Sequence, residues 1–221
     1  MMLFLASNSP RRRQLLSILT REFQVISSAI DERVLDGEDA GVYGFRMATM
    51  KAKEAARQCK DELPESAVVL AADTVVVDGE VILGKPVDHQ HAIDILERLR
   101  DHPHKVLTAL AIFRPADGFF LEDICSTDVM MRAYTDAEIL AYVESGDPMD
   151  KAGAYAIQHA GFNPVAEVRG CHANVMGLPV CRVAKLFEKM QIRYSKKVIK
   201  KCEKSLDRPC DVYQQAIFET G

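Results

Sequence analysis

An unbroken apolar run, Ala67–Ala72, constrains the fold of this chain more than any other feature. A strand that is apolar at every position must be covered on both faces, which is typical of sheets with helices on either side. Apolar side chains at helical spacing predict a helix from about residue 40 to residue 60, and Asp88 caps a second one. Strand-like and helix-like segments alternate along the chain, which predicts an α/β fold.

Turn and cap signals place most of the remaining elements. An apolar strand at Met2–Ala6 is followed by Ser9-Pro10, an N-cap and a first-turn proline that begin a helix. The other signals are hairpin turns at Asp78-Gly79 and Asp117-Gly118, long strands near 105–113 and 119–131, a capping box at Thr135 and Glu138, a strand at Val165–Val168, and a last core helix from Pro179 to about Lys189.

Length and composition fit a soluble α/β protein with one main domain. The 221 residues are 48% hydrophobic and 27% charged, which excludes a wholly disordered chain. No apolar run approaches the ~20 residues that cross a bilayer, and the apolar N-terminus has no basic segment before it, unlike a signal peptide. The six cysteines contain no CxxC pair and are expected to be reduced thiols. We therefore expect a cytoplasmic protein that does not contact membranes.

The basic residues are concentrated near the C-terminus. The net charge is −4, so no overall basic field indicates a nucleic-acid partner. Residues 189–204, however, hold seven basic residues and one acidic residue. We divide the chain into a domain at 1–189 and a basic, polar extension at 190–221, in which we find no apolar face. The extension is expected to be weakly docked, dispensable for chemistry, and able to bind nucleic acid only weakly.

The segment SNSPRRR, residues 7–13, is a candidate anion site. A helix that begins directly after a strand leaves free backbone N–H groups at the positive end of its dipole. Ser7 and Ser9 add hydroxyl groups, and Arg11, Arg12 and Arg13 add guanidinium groups that suit phosphate oxygens. An ordinary capped helix with solvated arginines explains the same residues.

A carboxylate and several lysines form further candidates. Asp73 directly follows the apolar strand, where a carboxylate can hold a divalent cation or accept a proton, or can simply cap a turn. Lys51, Lys53 and Lys85 could bind phosphate as point charges, although most lysines are solvated. The pairs His89/His91 and His102/His104 lack the companion ligands of a zinc site, so we do not predict one.

Several strings, taken in order, resemble the Maf family of nucleoside triphosphate pyrophosphatases, which are related in fold to inosine triphosphate pyrophosphatase. The strings are LASNSPRRRQLL (5–16), DE (31–32), MATMKA (47–52), AADTVVV (71–77), LGKP (83–86), HKVLTAL (104–110), SGDPMDKAGAYAIQ (145–158) and NVMGLPV (174–180). The resemblance covers about residues 3–189. It implies a long, twisted mixed sheet flanked by helices, in two lobes with a central cleft.

The resemblance also implies roles for individual residues. Asp73 corresponds to the catalytic proton acceptor, and Glu32 joins it in binding Mg²⁺ or Mn²⁺. Lys51 and Lys85 line the phosphate site, where Lys85 contributes to catalysis, and Ser7, Ser9, Arg11 and Arg12 complete it. The reaction would be attack of water on the α-phosphorus of a nucleoside triphosphate substrate, releasing pyrophosphate.

Three positions resemble the branch of the family that acts on dTTP and UTP. These are Arg11, Thr74 and Gln158, and a glutamine amide can pair with the edge of a pyrimidine. Gln158 could instead only hold its loop in place. Alternatives are a preference for 7-methyl-GTP and a non-enzymatic role as a regulator of septum formation in cell division. Cleansing of modified pyrimidine nucleotides and a homodimer are expected by analogy alone.

The chain departs from the family pattern at two places. The family usually has Gly-Arg before the HxVLT string, whereas this chain reads Asp101-His102-Pro103 and lacks that arginine. A Gly-Ser-Tyr sequence before the NV string is replaced by Gly170-Cys171-His172.

Overall fold

The computed structural model describes residues 1–210 and residue 212. These residues form seven strands, seven α-helices and two short 3-10 helices. The strands are β1 (Met2–Ala6), β2 (Gln24–Ile26), β3 (Ala67–Asp78), β4 (Val81–Leu83), β5 (Pro103–Arg114), β6 (Phe119–Met131) and β7 (Val165–Arg169). The α-helices are α1 (Pro10–Leu19), α2 (Ala40–Gln58), α3 (His89–Leu99), α4 (Asp136–Glu144), α5 (His172–Val175), α6 (Val180–Lys189) and α7 (Val198–Leu206).

The strands form one mixed sheet in the order β2-β1-β3-β5-β6-β7, and β4 pairs with the end of β3. Strand β1 is parallel to both β2 and β3, whereas the pairs from β3 to β7 are antiparallel. The predicted α/β class, the long strands β5 and β6, and the helix bounds near 40–60 and 179–189 are confirmed. The capping box of Thr135 and Glu138 also forms, at the start of α4.

Three apolar cores cover the sheet. Helices α1 and α6 pack on one face near β1, and the alanine-rich side of α2 packs on the opposite face. A third core, around α3 and α4, covers the far ends of β5 and β6. Residues of β3 contribute to all three cores, which explains why its sequence is apolar at consecutive positions.

Strand β3 differs from the sequence prediction at Asp73. The prediction ended the strand before Asp73, but β3 continues through Asp78. The parallel pairing with β1 stops at the pair Leu5–Leu70, while the antiparallel pairing with β5 continues past it. Asp73 therefore lies inside a strand, just beyond the end of its neighbour β1, where one edge of β3 is open.

The expectation of a tail without an apolar face is wrong. Helix α7 buries Val198 and Cys202 in the core formed by α1 and α6, and Leu206 packs against it. These residues are four positions apart, which places them on one side of a helix. The surrounding lysines hide this stripe in the sequence. The described part of the extension is thus docked, and residues 211 and 213–221 lie outside the described residues.

The structure shows the backbone conformation or the contacts of residues at both departures from the family pattern. Asp101 has a φ of +53°, a conformation that glycine adopts easily. His102 Nε2 lies 3.1 Å from Asp78 Oδ1, and Arg98 Nε donates to Asp78 Oδ2 at 2.6 Å. The backbone N–H of Cys171 donates to Thr127 Oγ1 at 3.1 Å.

None of the six cysteines, all of which lie within the described residues, forms a disulfide bond, as the sequence predicts. In the described residues, no helix is both long enough and apolar enough to span a membrane.

Candidate active site

A cavity of about 680 Å³ opens at the edge of the sheet where β1 and β2 end. The turns after β1 and β2 line it, as do β3, helix α2 and the loop after α4. Most of the predicted site residues lie in this lining, namely Ser7, Ser9, Arg11, Arg12, Glu32, Lys51, Asp73, Thr74 and Lys85. The strings that are far apart in the sequence therefore converge on one cavity.

The turn between β1 and α1 forms one wall. Ser9 caps α1, because its side chain accepts a hydrogen bond from the backbone N–H of Arg12. The backbone N–H of Ser9 donates to Ser7 Oγ at 3.2 Å. Pro10 occupies the first turn, as predicted. The capped-helix interpretation and the lining position both hold for Ser9. Arg13, in contrast, is exposed and does not line the cavity.

Arg12 is held by uncharged acceptors. Its Nε donates to the Gly177 carbonyl at 2.9 Å, and its Nη2 donates to Thr74 Oγ1 at 3.1 Å. Burial lowers the pKa of Arg12, whereas the charges of Asp73 and Glu32 act to raise it. No carboxylate of the described chain forms an ion pair with the guanidinium. Arg12 therefore keeps N–H donors and an unpaired positive charge for an anionic ligand.

The central feature of the site is a chain of two carboxylates and two lysines. Lys51 Nζ lies 2.5 Å from Asp73 Oδ1 and 2.7 Å from Glu32 Oε1. Lys85 Nζ lies 2.8 Å from Glu32 Oε2. Burial alone would raise the pKa of Glu32, but the hydrogen bonds from Lys51 and Lys85 lower it to about 2. Glu32 is therefore ionised at neutral pH.

The structure explains how each of these side chains reaches the others. Lys51 projects from α2, whose alanine face packs on the sheet. Lys85 lies in the turn Gly84-Lys85-Pro86. A hydrogen bond from the Gly153 N–H to the Gly84 carbonyl, at 3.1 Å, holds this turn in place. Tyr43 of α2, which the sequence analysis did not consider, donates its hydroxyl to the Glu32 carbonyl at 2.8 Å. Burial, together with the charges of Asp73 and Glu32, raises the pKa of Tyr43 to about 12.

Asp73 and Glu32 suit a divalent cation. Their oxygens already converge on one positive group, the Lys51 ammonium. Mg²⁺ is commonly bound by one or two carboxylates together with substrate phosphates. Within the described residues, no three His, Cys, Asp or Glu side chains form a complete metal site. The donor set therefore fits a metal that arrives with a phosphorylated ligand better than a permanently caged one.

The loop after α4 forms the opposite wall. The side chain of Lys151 is 9% exposed, and its ammonium hydrogen-bonds the Asp147 carbonyl and the carboxylates of Asp147 and Asp150. Tyr142 donates to Asp147 Oδ2 at 2.7 Å and accepts from the Ala156 N–H at 3.0 Å. These contacts fix the loop that carries Tyr155 and Ile157 into the cavity lining.

Besides Arg13, two candidate residues from the sequence do not line the cavity: Lys53, whose ammonium lies over the Phe120 ring, and Gln158. Gln158 is exposed, and the lining of this loop ends at Ile157. The predicted contact of Gln158 with a pyrimidine therefore stays a prediction.

Two fully buried polar residues beside the site, Thr108 and Asn174, were not predicted from the sequence as site residues. Thr108 Oγ1 lies 3.0 Å from Thr74 Oγ1 and donates to the Asn174 carbonyl at 2.9 Å. Both residues lie in strings that carry the family resemblance, but nothing in their spacing marks them as part of the site.

The fold and the site together define a class: an α/β protein in which a helix start and two carboxylates line one cavity. A family model described as Maf-like protein matches residues 2–190, and the chain belongs to this family.

Several curated relatives are similar over most of their length. One from Aquifex aeolicus is 40% identical over 192 residues, covering 87% of this chain and 97% of its own. One from Anaeromyxobacter dehalogenans is 45% identical over 189 residues, covering 85% and 93%. One from Clostridium beijerinckii is 38% identical over 192 residues, covering 86% and 100%. All three are named dTTP/UTP pyrophosphatase.

Proposed function

We propose that this chain hydrolyses nucleoside triphosphates, with dTTP and UTP as preferred substrates, to the monophosphate and pyrophosphate. The observation that carries the proposal is the convergence of Asp73 and Glu32 on Lys51, beside the unpaired guanidinium of Arg12. The names of the relatives support the reaction and the pyrimidine substrates.

The residues of the cavity fit the steps that this reaction needs. Lys51 donates a hydrogen bond to Asp73 Oδ1, whereas Asp73 Oδ2 forms no hydrogen bond with the described residues. Oδ2 can therefore accept the proton of an attacking water. Arg12, Lys51, Lys85 and the backbone N–H of Arg11, the one N–H in the first turn of α1 that has no acceptor among the described residues, bind the triphosphate. They also stabilise the charge that develops on the departing pyrophosphate.

A divalent cation, Mg²⁺ or Mn²⁺, would be held by Glu32 and Asp73. When bound, it would neutralise phosphate charge and lower the pKa of a coordinated water. The remaining work falls to the protein: Glu32 is fixed by Lys85 and Tyr43, and Asp73 is fixed by Lys51 and by its place in β3.

The experiment is a pyrophosphate-release assay with dTTP, UTP, CTP, ATP, GTP and 7-methyl-GTP, with and without chelator. We expect dTTP and UTP to give the highest kcat/KM, and chelator to abolish release. Fastest release from 7-methyl-GTP or another purine nucleotide would overturn the substrate assignment. Full activity in the presence of chelator would show that the reaction does not need a metal ion. Absence of release from every nucleotide would favour the partner-binding role in septum formation.

The role of Gln158 needs its own comparison. If the amide contacts the base, Gln158→Ala should narrow the preference for dTTP and UTP, because the lost hydrogen bond costs about tenfold in kcat/KM. An unchanged preference would restrict Gln158 to a structural role.

The sequence supports four further proposals. These are a cytoplasmic location, a homodimer, the cleansing of modified pyrimidine nucleotides, and weak binding of nucleic acid by the basic extension.

A further inference from the structure

A line of hydrogen bonds connects the cavity with the interior of the sheet. Thr74 of β3 and Thr108 of β5 lie directly opposite each other in the antiparallel pair. Arg12 Nη2 lies 3.1 Å from Thr74 Oγ1, Thr74 Oγ1 lies 3.0 Å from Thr108 Oγ1, and Thr108 Oγ1 lies 2.9 Å from the Asn174 carbonyl. Thr108 and Asn174 are fully buried, so water does not compete for these groups.

The chemistry of the end groups fixes the direction of every bond in this line. A carbonyl oxygen can only accept, so the hydroxyl hydrogen of Thr108 is committed to Asn174. The contact between the two threonines then requires Thr74 to donate to Thr108. A guanidinium can only donate, so Thr74 Oγ1 accepts from Arg12.

This direction determines what Thr74 offers to a ligand. Its single hydrogen points at Thr108, away from the cavity that Thr74 lines. A hydroxyl oxygen has two lone pairs, and Arg12 uses one of them. Thr74 therefore presents one remaining acceptor, and no donor, to the cavity.

We propose that Thr108 is a positioning residue for base selection, which holds the Thr74 hydroxyl as an acceptor for the imide N3–H of uracil or thymine. This inference rests on the proposed pyrimidine nucleotide activity. Uracil and thymine carry a hydrogen on N3, whereas the N3 of cytosine is itself an acceptor. Two acceptors that face each other in a buried site leave both unsatisfied, so the geometry discriminates against CTP.

Substitution of Thr108 tests this role without breaking the rest of the network. The Asn174 carbonyl also accepts from the Gly177 N–H at 2.9 Å, so it stays satisfied when the Thr108 hydroxyl is removed. Thr108→Val removes the hydroxyl and keeps the shape of the side chain. The Thr74 hydroxyl then loses its acceptor and can rotate to donate to the N3 of cytosine.

The experiment measures kcat/KM for UTP and CTP by pyrophosphate release, and Kd for their non-hydrolysable α,β-methylene analogues by calorimetry. Thr108→Val and Thr108→Ala lack the hydroxyl, whereas Thr108→Ser retains it. Thr127→Val is the matched control, because Thr127 is a buried threonine whose Oγ1 accepts from Asn174 Nδ2 at 2.9 Å but forms no hydrogen bond with Thr74.

We expect the UTP-to-CTP ratio to fall about tenfold in both hydroxyl-free variants, the size of one hydrogen bond, with an absolute rise for CTP. Thr108→Ser should restore the ratio, and Thr127→Val should lower the melting temperature while leaving the ratio unchanged. A merely structural role for Thr108 would lower activity towards both nucleotides equally.

An unchanged ratio in Thr108→Val, or in Thr108→Ala if the valine variant does not fold, would overturn the inference while leaving hydrolysis intact. If the wild type releases no pyrophosphate, the proposed function fails. The Kd values for the two analogues then still decide whether Thr108 controls base selection.

Discussion

The Lys51 ammonium lies 2.5 Å from Asp73 Oδ1, so a largely buried ion pair links the proposed proton acceptor on β3 to helix α2. The same ammonium contacts Glu32, which makes Lys51 the only described cation that touches both carboxylates. Its charge and its two contacts place it at the centre of the proposed reaction site.

Replacement of Lys51 by methionine should therefore lower kcat/KM by at least about 10²-fold, the usual cost of removing one donor that stabilises a transition state. The variant should also lose about 1–3 kcal/mol of stability, because Asp73 and Glu32 would face each other without their shared partner. Lys53→Met is the matched control, since Lys53 lies on the same helix but over the ring of Phe120. Steady-state kinetics and urea unfolding measure both effects; equal activity in the two variants would contradict the role of Lys51.

The lowered pKa of Glu32 predicts a change in acid stability. The pKa falls from its ordinary value of 4.5 to about 2, so the unfolded chain binds the proton more readily than the folded one. This contribution is complete above pH 4.5 and is lost as the pH falls towards 2. The free energy of unfolding should thus decrease more steeply below pH 4.5 in the wild type than in Glu32→Gln.

The comparison with Glu32→Gln is necessary because other carboxylates titrate in the same range. Glu54 and Glu138 hydrogen-bond to arginines, which lowers the pKa of each to about 2. Their contributions cancel in the difference between the two proteins. Parallel curves of unfolding free energy from pH 6 to pH 3 would show that Lys51 and Lys85 do not stabilise the charge of Glu32.

Asp101 offers a test of the strained turn before β5. With φ at +53°, it occupies a conformation that costs most residues about 1–2 kcal/mol and glycine almost nothing. Its backbone N–H donates to the Arg132 carbonyl, a bond that glycine keeps. Asp101→Gly should raise the free energy of unfolding by up to about 1 kcal/mol, whereas Asp94→Gly within α3 should lower it by a similar amount. A destabilised Asp101→Gly protein would contradict this account.

Local signals predicted part of the candidate site, whereas Glu32 was indicated only by the family resemblance. Ser9 and Pro10 mark a helix start, and Asp73 ends an apolar run, so their neighbourhoods could be identified. The continuation of β3 through Asp73 could not be predicted, since it depends on the antiparallel partner β5 extending beyond the parallel partner β1.

Long-range contacts account for the other differences. Thr108 and Asn174 are separated by 66 residues, and only the folded sheet brings them together. The docking of α7 depends on Val198 and Cys202, two apolar positions among lysines, whose significance appears only when α1 and α6 provide a surface for them. Local sequence patterns identify elements, but they do not specify which buried polar groups become partners.

Removal of residues 192–221 should separate stability from activity. The deletion exposes the surface that Val198 and Cys202 cover, at a cost of about 2–4 kcal/mol in unfolding free energy. None of the cavity-lining residues lies beyond Gly177, so kcat/KM of the folded protein should change by less than about threefold. Val198→Asp in the full chain should reproduce the loss of stability. A truncated protein of unchanged stability would contradict the docked position of α7.

The most direct test of the central claim is the rate of pyrophosphate release from dTTP by Asp73→Asn. The substitution keeps the shape of the side chain but removes the proton acceptor, so kcat/KM should fall by at least about 10²-fold. Asp94→Asn, which changes an exposed carboxylate on α3, should match the wild type. Unchanged far-ultraviolet circular dichroism would confirm that both variants are folded. A folded Asp73→Asn protein that releases pyrophosphate at the wild-type rate would contradict the account.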